Sequence, residues 1–202
     1  GLEAAGYDLY FANELSPMAG ETFAYNILNE TLKGYESIDK TLWIKSQFPK
    51  NKIEKRLREN PFETHKGTYS DIKDDTILDD KLLIGDINEL LTVFEEKPAL
   101  VNIIRNSQID LISGGPPCQS FSLAGKRERN NHKNTLPASF ARIAGMIQPK
   151  TVLLENVKGI TSPFTEDGIK YYAWLEVSKA FVLEGFVPVC MMLNSKYSDA
   201  SS

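Results

Sequence analysis

The stretch that most constrains this chain is an apolar run, Ile109-Asp110-Leu111-Ile112-Ser113, cut short by Gly114-Gly115-Pro116-Pro117 and followed at once by Cys118. A short apolar run bounded by turn residues reads as a buried parallel strand. In an open α/β sheet, the loops leaving the carboxyl ends of the strands border the crevice where ligands gather, and Cys118 falls on such a loop. The two prolines fix φ immediately before the thiol and hold it at little further entropic cost. From the cysteine alone two readings stand, a buried thiol at a turn and a reactive one, because free cysteine is among the most buried residue types.

A strand-then-helix order repeats along the chain. Gly1 to Gly6 reads as the tail of a helix stopped at Gly6, and Tyr7 to Asn13 as a short strand; Ser16 and Pro17 then form an N-cap and N1 pair opening a helix to about Asn26. Lys81 to Asp86 is the next strand, and a helix from about Asn88 to Arg105 is interrupted near Pro98. Beyond Ser113 come a polar, basic loop (Leu123 to Asn134), a helix (Pro137 to Gln148), a strand (Thr151 to Leu154), a loop to about Thr165, a helix to Leu183 and a last strand, Phe186 to Leu193. The order predicts an α/β fold with a doubly wound, mostly parallel sheet. Residues 29–80 depart from it, with basic residues from Lys50 to Arg58 and acidic ones from Asp71 to Asp80; they read as a charged insertion with a helix or two, in one domain spanning 1–202.

The formal net charge of −4 argues against wholesale wrapping of nucleic acid and leaves that question to local patches. Cys118 and Cys190 lack metal spacing, and His65 and His132 have no obvious partners, so no metal site and no disulfide are expected. No apolar run reaches the roughly 18 to 20 residues of a membrane span, and no secretory signal opens the chain, which favours a reducing compartment. Both ends read as internal, the mark of a fragment.

Four strand ends carry polar or reactive residues: Glu14, Asp86, Cys118 and Glu155. A carboxylate accepts from both hydroxyls of a ribose, and another accepts from an adenine amino group, so Glu14 and Asp86 suit a nucleoside; each is also explained by a helix N-terminus. A thiolate is a strong nucleophile, and a carboxyl group in a closed pocket can stay protonated and donate a hydrogen bond. Together Cys118 and Glu155 suit conjugate addition to an electron-poor ring.

With those residues in view, the chain resembles the catalytic core of a C5-cytosine DNA methyltransferase. Pro116-Pro117-Cys118-Gln119-Ser120-Phe121-Ser122 is similar to that family's catalytic-cysteine motif and Glu155-Asn156-Val157 to its second catalytic motif, with Asn134-Thr135-Leu136 between them in the family's order. Asn13-Glu14 and Gly85-Asp86-Ile87 fall where the family contacts ribose and adenine. The resemblance implies a Rossmann-like fold and S-adenosyl-L-methionine as cofactor, with Glu14, Leu15, Asp86, Ile87, Pro116 and Leu136 around it. It implies that Cys118 attacks C6 of a flipped cytosine in double-stranded DNA, that Glu155 acts at N3, and that Asn156 orients the Pro117-Cys118 turn. Gln119, Ser122, Arg127 and Arg129 become DNA contacts. A restriction-modification setting, with a cognate restriction endonuclease and a cytoplasmic or nucleoid-associated location, goes with it.

Against the family pattern the fold is incomplete at both ends: the glycine-rich cofactor turn is expected ahead of Gly1, and the target-recognition region after Ser202. Residues 1–202 alone are therefore expected to lack independent turnover. Two rivals remain, a tRNA cytosine-C5 methyltransferase with the same Cys-Glu pair and a non-catalytic methyltransferase-like binding module. Amino-methylating enzymes are disfavoured, because a thiol follows the paired prolines.

Overall fold

Leu82, Leu83 and Ile84 have no exposed surface, and the strand they form is the centre of the first half of the molecule. Burying three such side chains is worth about 1.5–3 kcal/mol each. The structure, a computed structural model, describes residues 2–32, 38–117, 136–166 and 169–193. They fall into two units, Gly1–Asp110 with Met146–Lys150, and Leu111–Gly145 with Thr151–Ser202.

In the first unit, β1 (Phe11–Glu14), β2 (Thr41–Trp43) and β3 (Lys81–Ile84) form a parallel sheet in the order β1-β3-β2. The register pairs Phe11 with Lys81 and Glu14 with Ile84 on one side of β3, and Trp43 with Ile84 on the other. Successive residues of a strand point to opposite faces. Leu82 and Ile84 accordingly share a core with Ala24 and Leu28 of the helical turn that ends α1 (Pro17–Ile27). On the other face Phe11 meets Phe94 of α3 (Ile87–Glu96) edge to face, ring centroids 6.2 Å apart. Helices thus cover both faces of a parallel sheet. The break expected near Pro98 is real: Lys97 caps the end of α3 and the start of α4 (Pro98–Asn106), with proline at the first helical position. The turn ahead of β1 is a single 3-10 turn at Glu3–Ala5, closed by Gly6 at φ 87°.

Residues 29–80 contribute the edge strand β2 and a short helix, α2 (Ile53–Arg56), rather than helices alone. Carboxylates organise this segment where an apolar run would ordinarily do so. Glu30, 6% exposed, accepts from the backbone N–H of Asp39 (2.6 Å) and Lys40 (2.8 Å) and from the Thr41 hydroxyl (2.6 Å). Glu59 accepts from Ser46 Oγ and the Gln47 N–H at 2.8 and 2.6 Å. Asp71 Oδ2 accepts from the Trp43 N–H (3.0 Å) and from the fully buried Arg56 (2.6 Å), whose guanidinium lies over the Trp43 ring. Buried polar groups are retained where they are hydrogen-bonded, which is how a three-residue strand survives in so polar a stretch.

In the second unit, β4 (Leu111–Gly114) pairs in parallel with β5 (Thr151–Leu154), Gly114 opposite Leu154. A Cβ on Gly114 would lie 2.6 Å from the ring of Phe140, which belongs to α5 (Leu136–Ile147), so glycine lets that ring sit on the strand. Phe140 in turn stacks edge to face on Phe181 of α6 (Ala173–Leu183) with centroids 6.1 Å apart. Two expectations fail here. The stretch assigned to a loop and the start of a helix forms an antiparallel hairpin, β6 (Phe164–Glu166) with β7 (Ile169–Tyr171), so α6 begins only at Ala173. Phe186 to Leu193 joins no strand among the described residues, and Val187, Val189, Met191 and Leu193 are 90%, 80%, 75% and 82% exposed.

Parallel sheets with flanking helices make the protein α/β, as the sequence predicts. Among the described residues no helix is long and apolar enough to cross a membrane.

Candidate active site

The strand ends of the first unit hold one another through β1. Asn13 Nδ2 donates to the carbonyls of Leu83 and Gly85, both at 3.0 Å, and the Gly85 N–H donates to the Glu14 carbonyl at 2.9 Å. Gly85 adopts φ 148°, a conformation open to glycine, and a Cβ there would lie 2.9 Å from Cβ of the buried Ile44. The turn that delivers Asp86 is therefore fixed on three sides. One oxygen of Asp86 caps α3 by accepting from the Asn88 N–H (2.7 Å) and amide (2.8 Å). One oxygen of Glu14 accepts from the Ser16 N–H at 2.9 Å, and the Ser16 side chain makes no cap bond of its own. Each acid thus serves a helix N-terminus with one oxygen and keeps a second acceptor atom, so the structural and ligand-binding explanations hold together. Glu14, Leu15, Asp86 and Ile87 are all half-buried.

The sequence reading places Asn13 beside the cofactor contacts but misses its role as a backbone clamp, which a polar side chain in a strand signals because buried amides need partners. It misses Glu89 altogether. Glu89 stands three residues after the Asp86 cap, the spacing of a capping box, yet it does not reach back. One of its oxygens accepts from Thr64 at 3.4 Å and the other is buried with no partner. Burial pushes the Glu89 carboxyl above the usual carboxylate range; Lys45 opposes the shift and Asp86 adds to it, with smaller opposing effects from Thr64 and His65.

In the second unit the parallel ladder continues past the strands, the Glu155 N–H donating to the Gly114 carbonyl at 2.9 Å. The Glu155 carboxylate lies over Gly115, where a Cβ would be 3.2 Å from Oε2. Asn156 Nδ2 donates to the Pro116 carbonyl at 3.1 Å, and its Oδ1 accepts from the Val157 N–H at 3.0 Å. The Glu155-Asn156 strand end therefore grips the Gly114-to-Pro117 turn directly. Glu155 is exposed, and the described residues do not form the closed pocket expected around its carboxyl. Pro116 and Leu136, the latter opening α5, are half-buried, and Pro117 is exposed. Cys118, Gln119, Ser122, Arg127 and Arg129 lie outside the described residues. The chemistry available is thus a carboxylate held beside a proline-rich turn on one pair of strands, and acceptors suited to a nucleoside on another.

The comparisons with known proteins point the same way. The model of the C-5 cytosine-specific DNA methylase family matches residues 63–199, more than half of the chain. The chain is 36% identical over 89 residues to the Type II methyltransferase M.DdeI of Desulfomicrobium norvegicum, covering 44% of this chain and 21% of that protein. It is 42% identical over 83 residues to M.AquIA of Picosynechococcus (41% and 32%). It is 37% identical over 116 residues to M.FnuDI of Fusobacterium nucleatum (57% and 29%). The chain thus spans about a third or less of the length of these relatives. No solved structure matches it significantly. With a family match that covers more than half of the chain and runs through Pro116-Pro117 and Glu155-Asn156, this chain belongs to the C-5 cytosine-specific DNA methylase family.

Proposed function

We propose that this chain is the catalytic core of a DNA cytosine-C5 methyltransferase that uses S-adenosylmethionine and works through a covalent adduct between Cys118 and C6 of the base. The observation that carries this reading is the bond from Asn156 to the Pro116 carbonyl, two residues before the thiol, with Glu155 over Gly115 beside it. An acid and the turn bearing a nucleophile are held together by the residue next to the acid.

The residues present fit the cofactor. Glu14 and Asp86 each keep an acceptor oxygen after capping a helix, as a ribose diol and an adenine amino group require, and Leu15 and Ile87 give apolar contact beside them. S-adenosylmethionine, when bound, supplies an electrophilic methyl group. The target cytosine leaves the base stack first, at a cost of a few kcal/mol. The Cys118 thiolate adds to C6, and the electron pair of the C5–C6 bond moves toward N3, where Glu155 contacts the ring and stabilises the charge that builds there. C5 is then the nucleophilic carbon. After methylation, loss of the C5 proton returns the electron pair, the S–C6 bond breaks, and the thiolate leaves. Asn156 keeps the turn bearing the thiol in register throughout. Gln119, Ser122, Arg127 and Arg129 contact the DNA, and a restriction endonuclease of the same specificity is the natural partner.

The test is trapping on duplex DNA carrying 5-fluorocytosine, whose C5 fluorine cannot be lost as a proton. The full-length protein that carries this core is expected to form a denaturation-resistant adduct that disappears in Cys118→Ser. Adduct formation unaffected by Cys118→Ser, or formed on tRNA and absent on DNA, would overturn the reading.

A further inference from the structure

The charged segment separates its two signs. Glu30, Glu59 and Asp71 turn inward, spent on backbone N–H groups, on the Thr41 and Ser46 hydroxyls and on the buried Arg56. Lys50, Lys52, Lys55 and Arg58 are exposed, with one exposed acid, Glu54, between them. Among the described residues none of these four cations makes an ion pair, whereas Lys40, Lys66 and Lys97 each hold a carboxylate. Lys55 rests over the Phe48 ring, its nitrogen 5.5 Å from the centroid.

The short helix α2 produces this arrangement. Ile53, Arg56 and Leu57 are 6%, 1% and 5% exposed and fix one side of it to the core. Beyond Arg56 the chain continues in tight turns, the Arg58 N–H donating to the Lys55 carbonyl at 3.1 Å and the Glu59 N–H to the Arg56 carbonyl at 3.2 Å. Lys52, Lys55 and Arg58 therefore recur at every third residue, a spacing that puts side chains on one face. At about 1.5–2.0 Å of rise per residue the row is about 9–12 Å long. Like charges so placed destabilise one another, and a polyanion laid along them relieves that. One strand of a DNA duplex, with a phosphate about every 3.4 Å of axis, presents about three or four charges over the same length. Strand β2 runs parallel to β3, as β1 does, so its carboxyl end lies on the sheet edge that carries Glu14 and Asp86, and the basic stretch leaves from that end.

We propose that Lys50, Lys52, Lys55 and Arg58 form a contact surface for the DNA backbone, through which the insertion adds sequence-independent affinity for the substrate. Phosphate contacts of this kind position a protein on a duplex and carry no sequence information. The identity of the polyanion rests on the methyltransferase reading. A lipid surface is a poorer match, because it requires an apolar face to bury and the apolar side of α2 is already in the core.

The test is binding of duplex DNA by the full-length protein that carries this core, followed by fluorescence anisotropy from about 50 to 200 mM salt. Lys52→Gln with Lys55→Gln and Arg58→Gln keeps good helix formers at exposed positions. That variant is expected to weaken binding by a similar factor on duplexes of unrelated sequence and to reduce the slope of log K against log salt by about three, one for each phosphate contact. Lys66→Gln with Lys150→Gln and Lys179→Gln removes the same charge from lysines already paired with acids and is expected to leave the slope as it was. An unchanged slope in the first variant, an equal fall in both, or a loss seen on tRNA and absent on duplex DNA overturns the proposal. The adduct of the unsubstituted protein with 5-fluorocytosine DNA reports the catalytic reading separately: an unchanged slope with the adduct present sinks this surface alone, and a protein that neither binds duplex DNA nor forms the adduct sinks both.

Discussion

Gly85→Ala is the sharpest test of how the fold presents Asp86. At φ 148° a residue with a side chain occupies backbone space essentially reserved for glycine, which costs about 1–3 kcal/mol. The added Cβ also falls 2.9 Å from Cβ of Ile44, a buried atom beside the backbone that cannot swing away, and overpacking of this kind costs about 1–3 kcal/mol more. A loss of about 3 kcal/mol is a conservative sum, and in a chain of this size each kcal/mol lowers Tm by about 2–4 °C, so a fall of about 6–12 °C is expected. Gly20→Ala is the control. Its Cβ would meet the tip of the Ile84 side chain, also at 2.9 Å, but that tip can rotate, and alanine in a helix interior recovers about 1 kcal/mol over glycine. The assay is thermal unfolding followed by circular dichroism on both variants, with S-adenosylmethionine binding by calorimetry alongside. Because Asn13 and Glu14 hold Gly85 from both sides, the same substitution should weaken cofactor binding in protein that is still folded. A Gly85→Ala melt within about 2 °C of wild type, or one no lower than that of Gly20→Ala, would refute the reasoning.

Three further outcomes follow. Asn156→Ala removes a hydrogen bond to the turn worth about 0.5–1.5 kcal/mol, and in the full-length protein carrying this core kcat should fall about tenfold with KM for DNA little changed; an altered KM at constant kcat would contradict a positioning role. Asp71→Ala strands the buried Arg56 charge and should cost about 3–5 kcal/mol in urea unfolding, with Arg56→Met on the same background recovering part of it. Burial raises the Glu89 carboxyl, so the folded state holds that proton more tightly than the unfolded chain does, and the group's contribution to stability falls as pH rises from the unfolded-state range through the raised one. Glu89→Gln should therefore raise Tm at neutral pH and lose that advantage toward acid; a difference constant with pH would exclude the mechanism.

Much of the fold is legible because periodicity and punctuation act locally. The strand at Thr151–Leu154 and the helix start at Pro17 stand where the sequence reading puts them, and Pro98 breaks its helix as a ring without an N–H must. The reading falters where stability comes from partners distant in sequence. Nothing in Thr41-Leu42-Trp43 announces a strand, because Glu30 and Asp71, eleven residues before Thr41 and 28 residues after Trp43, supply what holds it there. Phe186 to Leu193 is an apolar run of strand length, but Pro188 lacks the N–H a ladder needs and pairing requires a neighbour, which the described residues do not offer. The resemblance already implies that Asn156 orients the turn before the thiol, but its acceptor, the Pro116 carbonyl, and the clamp made by Asn13 require coordinates, because a carbonyl acceptor leaves no mark in a sequence.

The run from Val187 to Leu193 also sets how the chain behaves at the bench. It carries no charge, and Val187, Val189, Met191, Met192 and Leu193 form an exposed apolar row in water, a surface that favours association between chains even though Pro188 disfavours β-pairing through it. Light scattering from a purified sample should rise with concentration. A charge placed in the row, as in Val187→Lys with Val189→Lys, should suppress that rise by acting as a gatekeeper, without changing the melting of the first unit.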